Sequence, residues 1–354
     1  MSLSAYPVPV GIVGLGKWAG VLTKAAEKSK KIKVVAGFSR SHEKRAAYTR
    51  EFGIPSVSDL AQILGNKEIR GVLITVPNEL HLPIAEQAAI AGKHVYVEKP
   101  IANTLADGLM LSDLGKRYAV QVMVGHCARL LSGVRLTKEA IDRGELGRVC
   151  YIECNFSNDR GLDLTPDNWR WYRARSPGGC LSQIAIHCFD ILHYLGGEIL
   201  EAGSMASKLS PTGAEVDDQS LTTVRFVDGK LGFVGSSWTS PGIFSIKVVG
   251  TKALMHYQID QSAWGSADRL HESAELYFQK RSEGFAQRNL LPVPPGDMFC
   301  EELDMFADAI ASDTPSSLSG ENGCVALAVI YAALQSIEEH GRYIDVRGLL
   351  ASHS

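Results

Sequence analysis

Gly14-Leu15-Gly16-Lys17-Trp18-Ala19 is the stretch whose residue types and spacing speak most directly of chemistry. The first glycine allows a tight turn. The second lets the backbone approach a pyrophosphate with no Cβ in the way, and Ala19 lets the following helix pack close to the preceding strand. The helix that opens there offers uncommitted N–H groups and a positive dipole end to phosphates. Lys17 and Trp18 flank the pyrophosphate on this reading, with plain packing as the other role for Trp18. In NAD enzymes an acid near the end of the second strand holds the ribose 2′-hydroxyl. Here that end reads Gly37-Phe38-Ser39-Arg40-Ser41, and Glu43 comes too late. Ser39 can donate to a phosphate oxygen, and Arg40 can pair with a 2′-phosphate and stack on adenine. The expected cofactor is therefore NADP, with NAD as the alternative; the competing role for Arg40 is that of a solvated loop residue. A second group is Gln183, His187 and Asp190, spaced to share one face of a helix. A histidine titrates near neutrality and suits proton transfer there; the competing reading is a structural histidine.

The elements that must hold these residues follow from pattern. Val8 to Val13 reads as a strand and Gly20 to Lys31 as a helix with Val21, Leu22, Ala25 and Ala26 on one stripe. Ile32 to Phe38, Gly71 to Val76, His94 to Val97 and Val120 to Val124 read as further strands. Helices are expected between them, and the near-continuous apolar runs fit strands buried on both faces. Such alternation predicts a parallel, doubly wound sheet whose ligands sit beyond the carboxyl ends of the strands. Thr75, Pro77, Asn78, His81, Glu98, Lys99 and Arg129 all lie at or beyond strand ends. Asn78 equally fits a helix start, and Arg129 fits either a substrate contact or a salt bridge. Beyond residue 125 the pattern changes. A helix is expected over 134–143, a polar and aromatic loop through Trp169 and Arg170, a helix over 180–195, and then a run of strands with an Asp228-Gly229 hairpin turn. The expected architecture is α/β: a dinucleotide-binding domain over 1–125, then over 126–354 an α+β domain with an open, mostly antiparallel sheet.

Composition narrows the class. The 354 residues are 45% hydrophobic and 21% charged, which suits two globular domains, and the net charge of −3 gives no global pull toward nucleic acid or membrane. The seven cysteines form neither a Cys-x-x-Cys pair nor a zinc-spaced cluster, so no metal is expected. With no apolar run long enough to span a bilayer and no leader pattern, a cytoplasmic protein is expected.

Three stretches together resemble a known family: the glycine turn; Ala91-Gly92-Lys93-His94-Val95-Tyr96-Val97-Glu98-Lys99-Pro100; and Gly178-Gly179 followed by Gln183, His187 and Asp190. They are similar to the glucose–fructose oxidoreductase / inositol dehydrogenase / rhizopine-catabolism family. The resemblance implies a nicotinamide-dependent oxidoreductase that transfers a hydride to or from a sugar, polyol or derivative. Lys99 would place charge beside the developing alkoxide and His187 would carry the proton. It also implies a cis Lys99–Pro100 bond, Asn78 and His81 lining the nicotinamide ribose, and the Trp169–Arg175 loop covering the substrate. The partners implied are a small-molecule substrate and further copies of the chain, as a homodimer or homotetramer. One departure stands out: the family pattern often carries Asp where this chain has Gln183, which removes a charge beside His187 and leaves an amide that can bind a substrate hydroxyl. Two other activities fit the same motifs, a non-catalytic NADP-binding regulator and a nicotinamide-dependent glycosidase.

Overall fold

A computed structural model describes residues 6–352. The chain forms two compact units. The first runs to His126 and takes in Asp297–Cys324; the second holds Cys127–Gly296 and the residues from Val325 onward.

The first unit is built on six parallel strands: β1 (Val8–Val13), β2 (Ile32–Phe38), β3 (Ser56–Val57), β4 (Gly71–Ile74), β5 (His94–Val97) and β6 (Val122–Val124), in the order β3-β2-β1-β4-β5-β6. The central strands are apolar throughout because helices cover the sheet, and β4 is buried at every residue. The helices are α1 (Lys17–Lys28), α2 (His42–Phe52), α3 (Ala61–Leu64), α4 (His81–Ile90) and α5 (Leu105–Tyr118). Thr104 caps α5 by accepting from the Asp107 N–H, and Ser41 caps α2 by accepting from the Lys44 N–H. The strand order reverses between β1 and β4, so the ligand crevice of such a sheet opens beside the β1–α1 turn.

In the second unit, α6 (Ser132–Asp142), β7 (Val149–Ser157) and α7 (Ile186–Gly196) precede β8 (Ile199–Ser207), β9 (Gln219–Phe226), β10 (Leu231–Ser237), β11 (Ile243–Gly250), β12 (Ala253–Ile259), β13 (Glu275–Lys280) and β14 (Asn289–Leu291). After α8 (Met298–Ser312) and α9 (Gly320–Glu338), β15 (Ile344–Asp345) completes a nine-stranded sheet of order β14-β13-β12-β11-β7-β10-β9-β8-β15. Its pairs are antiparallel except β7–β10. Along β9 and β10 buried and exposed residues alternate, as a sheet covered on one face requires.

Two features depart from the sequence reading. The sequence placed all of 126–354 in the second domain, yet 297–324 packs with the first unit. The cause is the apolar and polar face of α8: Phe306 lies edge-on to Tyr96, Phe299 meets Trp18, and Glu302 accepts a hydrogen bond from Tyr96 Oη at 2.7 Å. The helix expected over 180–195 begins instead as a π-helical turn, Leu181–Ala185, before α7 takes over. Such wide turns insert a residue and shift the faces that follow.

Candidate functional site

Gly14 ends β1 with φ +98°, and a Cβ there would lie 2.7 Å from the Val76 side chain and 3.0 Å from the Val76 backbone nitrogen. Only glycine serves at that turn. Gly16, which caps α1 with no side-chain bond of its own, has nothing within 4 Å of where its Cβ would be. That open space before the uncommitted N–H groups of α1 fits the pyrophosphate of a dinucleotide. Thr75 Oγ1 donates to the Gly14 carbonyl at 2.6 Å and ties the turn to the end of β4. Lys17 is exposed, whereas Trp18 packs against Phe299.

The loop after β2 leaves Arg40 exposed and Ser39 half-buried. Arg45, which the sequence reading passed over, reaches back from α2. Its Nη1 donates to the carbonyls of Ser39 at 2.6 Å and Arg40 at 3.0 Å, so a second guanidinium braces this loop. Its signal was present only as an arginine one turn into a helix.

Beyond β4, Pro77 leads into a short 3₁₀ turn, Asn78–Leu80. Asn78 is buried, and its Nδ2 has no hydrogen-bond partner among the described residues, a polar group held ready for one. His81 is different from the expected ribose contact. It is wholly buried, with Nδ1 3.0 Å from the Pro100 carbonyl and Nε2 3.0 Å from the Val76 carbonyl. Burial lowers its pKa, and its ring joins two loops rather than lining an open space. The Lys99–Pro100 bond is cis, as the family resemblance implies. Lys99 is half-buried at the end of β5. Glu98 beside it is buried, and desolvation, opposed by the Lys99 charge, pushes its carboxyl up to about 7. Glu302 on α8 is pushed well above the usual range by burial and by the charge of Glu98, against the Tyr96 hydrogen bond. Gly125 makes this cluster feasible, since a Cβ there would meet Tyr96 Oη at 2.4 Å and come within 3.6 Å of the Glu98 carboxyl carbon. Neither Tyr96 nor Glu302 was singled out in the sequence, because nothing local joins residues 206 positions apart.

In the second unit His187 is buried with its ring 5.7 Å from Phe156 and 5.5 Å from Trp264. Phe156, Phe244 and Trp264 form an aromatic wall that the sequence reading did not identify. Gln183, His187 and Asp190 are all buried. Asp190 is taken up by Arg129, whose Nε donates to Oδ2 at 2.7 Å while Nη2 holds Oδ1. This bidentate pair commits both residues to each other, and removing one partner of such a pair typically costs about 3–5 kcal/mol. Gln183 Oε1 accepts from Arg170 Nε at 3.2 Å, and the Arg170 guanidinium lies 4.3 Å over the Trp169 ring. Among the described residues no cluster of His, Cys, Asp and Glu is arranged to hold a metal ion.

Known proteins resemble this chain in sequence and in fold. Residues 8–126 match the oxidoreductase family with NAD-binding Rossmann fold, and residues 134–256 match the GFO/IDH/MocA C-terminal domain. A protein of Desulfitobacterium hafniense assigned as an NADPH-dependent oxidoreductase is 34% identical, with TM-score 0.93 over 98% of this chain and 99% of that one. Levoglucosan dehydrogenase of Pseudarthrobacter phenanthrenivorans is 31% identical over 56% of this chain, a match that spans 57% of that protein. A levoglucosan dehydrogenase complex with NADH has TM-score 0.85 at 25% identity, over 96% of this chain and 99% of that one. The 1,5-anhydro-D-fructose reductase of Ensifer adhaerens is 27% identical over 92% of this chain and 95% of its own. With both halves matched and the glycine turn, the cis Lys99–Pro100 bond and the Rossmann strand order in place, the chain belongs to the Gfo/Idh/MocA family of oxidoreductases.

Proposed function

We propose that this protein is an NADP-dependent dehydrogenase or reductase acting on a CH–OH group of a sugar, polyol or derivative. The observation that carries this is Lys99, half-buried at the carboxyl end of β5 in a sheet whose β1–α1 turn is shaped for a dinucleotide. NADP supplies the hydride acceptor and donor. The Gly14–Gly16 turn and the start of α1 bind its pyrophosphate. Asn78 offers an amide to the nicotinamide half. Ser39 and Arg40, on a loop braced by Arg45, receive the 2′-phosphate, and the NADPH-dependent assignment of the Desulfitobacterium relative supports that choice over NAD. The Lys99 ammonium stabilises the alkoxide that develops on the carbinol oxygen. His187 carries the hydroxyl proton, and its aromatic wall keeps water from that step. Gln183 and the Trp169–Arg170 loop bind the substrate. Arg129 and Asp190, locked together, hold α7 in place. No helix among the described residues is long and apolar enough to cross a membrane. Seven free thiols support a cytoplasmic setting.

A cofactor-reduction screen over sugars and polyols, run with NADP and with NAD, tests this reading. Turnover with NADP is expected, with Lys99→Met and His187→Ala each lowering kcat by roughly 10²–10⁴-fold while NADP still binds. Arg40→Ala should weaken NADP about ten- to a hundred-fold and leave NAD nearly unchanged. Normal turnover in both Lys99→Met and His187→Ala would remove the assigned site.

A further inference from the structure

Arg170 is unusual among the charged residues of the second unit. Its guanidinium is half-buried, stacked 4.3 Å over Trp169, and hydrogen-bonded through Nε to the neutral amide of Gln183 at 3.2 Å. Among the described residues no carboxylate forms an ion pair with it or with Arg160, the charge that bears on it from the neighbouring 3₁₀ turn Arg160–Asp163. Asp159, next to Arg160 in the chain, is the acid that acts on that residue. Asp190, the acid of the helical stretch 181–196, is already committed to Arg129. Burial and the like charge of Arg160 pull Arg170 down to about 9, so the arrangement is electrostatically uncomfortable as it stands. Arg170, with a like charge beside it and no acid of its own, gains from an anion placed against it. Gln183 explains why they stay unneutralised. A carboxylate at that position would pair with Arg170 through charge-assisted hydrogen bonds, whereas the amide fixes the side chain and leaves its charge available. Gln183 also lies one turn before His187, so a group held by Arg170 sits beside the proton carrier assigned above.

We propose that Arg170 and Arg160, with Gln183 orienting the former, bind an anionic group on the substrate, so that the sugar or polyol taken by this protein carries a carboxylate or a phosphate. This deepens the reading of the preceding section and rests on it. The planar fork of Arg170 suits a bidentate contact with either group.

Calorimetric titration of the NADP-saturated protein with D-glucuronate, D-glucose 6-phosphate, D-glucose and inorganic phosphate tests the proposal, alongside the reduction screen on the same three sugars. At least one anionic sugar should bind ten-fold or more tightly than glucose, with the tighter of the two identifying carboxylate or phosphate. Arg170→Gln should erase that preference. Gln183→Asp should do the same by neutralising Arg170, and Arg170→Lys should retain part of it; circular dichroism of each variant shows that it is folded. If no probe, inorganic phosphate included, binds in an Arg170-dependent way, the proposal is overturned. If neutral sugars are oxidised while both anionic sugars are ignored, the anion site is overturned and the dehydrogenase reading stands. Arg170-dependent anion binding with no turnover on any sugar would have the opposite meaning, supporting the anion site and removing the activity.

Discussion

Glu98 and Glu302 show how far a single position can depart from its sequence appearance. Each looks like an ordinary charged residue, yet both carboxyls are buried and hold their protons more tightly than in water. The folded chain then binds more protons than the unfolded chain between the ordinary carboxyl value of 4.5 and about 7 for Glu98. Stability conferred by Glu98 is therefore present in full below 4.5, falls as pH rises through that window, and levels off above it, while the contribution of Glu302 goes on falling as pH rises toward its own, higher value. Glu302→Gln keeps a hydrogen-bond acceptor for Tyr96 and removes one of the two charges. Thermal melts from pH 5 to 8 should show the variant losing less stability than the parent protein. Parallel curves for the two would mean that Glu302 is not held protonated. Glu98 also precedes Lys99 in the chain and feels its charge, so the cost of ionising it is met close to the proposed chemistry.

At the scale of elements, the π-helical entry to α7 depends on how the chain enters it. Gly178 and Gly179 both have positive φ, and a Cβ on Gly179 would stand 2.1 Å from the Asp217 carbonyl oxygen. Gly53 closes α2 at φ +67° with nothing within 4 Å of its Cβ position. The two glycines share a backbone conformation and differ in space. Gly53→Ala should cost about 1–2 kcal/mol, the strain of a left-handed residue. Gly179→Ala should add an overpacking cost of about 1–3 kcal/mol and, by displacing Gln183, raise KM. Denaturant melts on both variants measure the difference; equal costs would show that the contact with Asp217 relaxes freely. The Gly-Gly pair was visible in the sequence, but its close neighbour came from a segment nearly forty residues away.

For the whole molecule, the exposed face of the second sheet is the informative surface. Register places Leu231 opposite Tyr151 and Arg225, Phe233 opposite Thr223, and Met205 opposite Leu221. Tyr151, Met205, Leu221, Leu231, Phe233 and Tyr343 are all exposed. Exposed apolar residues gathered on one face suit association, and we propose that role for this one. A homodimer or homotetramer formed through this face is the expected state in solution, and a C2 interface would present the same patch from both copies. Light scattering at micromolar concentration should give a multiple of the 38.3 kDa chain mass, and Phe233→Asp should shift it toward the monomer. A parent protein that is monomeric under those conditions would contradict this reading.

Local pattern carried much of this protein's description. The glycine turn, the buried parallel strands, the missing acid after β2 and the Glu98-Lys99-Pro100 motif are legible because each depends on neighbours within a few residues, where φ, side-chain size and periodicity act directly. Tertiary structure decided what those neighbours could not. His81 proved to be bound between two carbonyls, Asp190 to be neutralised by Arg129 from 61 positions away, and α8 to return to the first unit through Tyr96 and Phe306. Gln183 lies within a π turn rather than a regular helix and meets Arg170. In each case the deciding quantity is burial or a charge partner. Both depend on which distant residues the fold brings together, so they become readable only once the chain is packed.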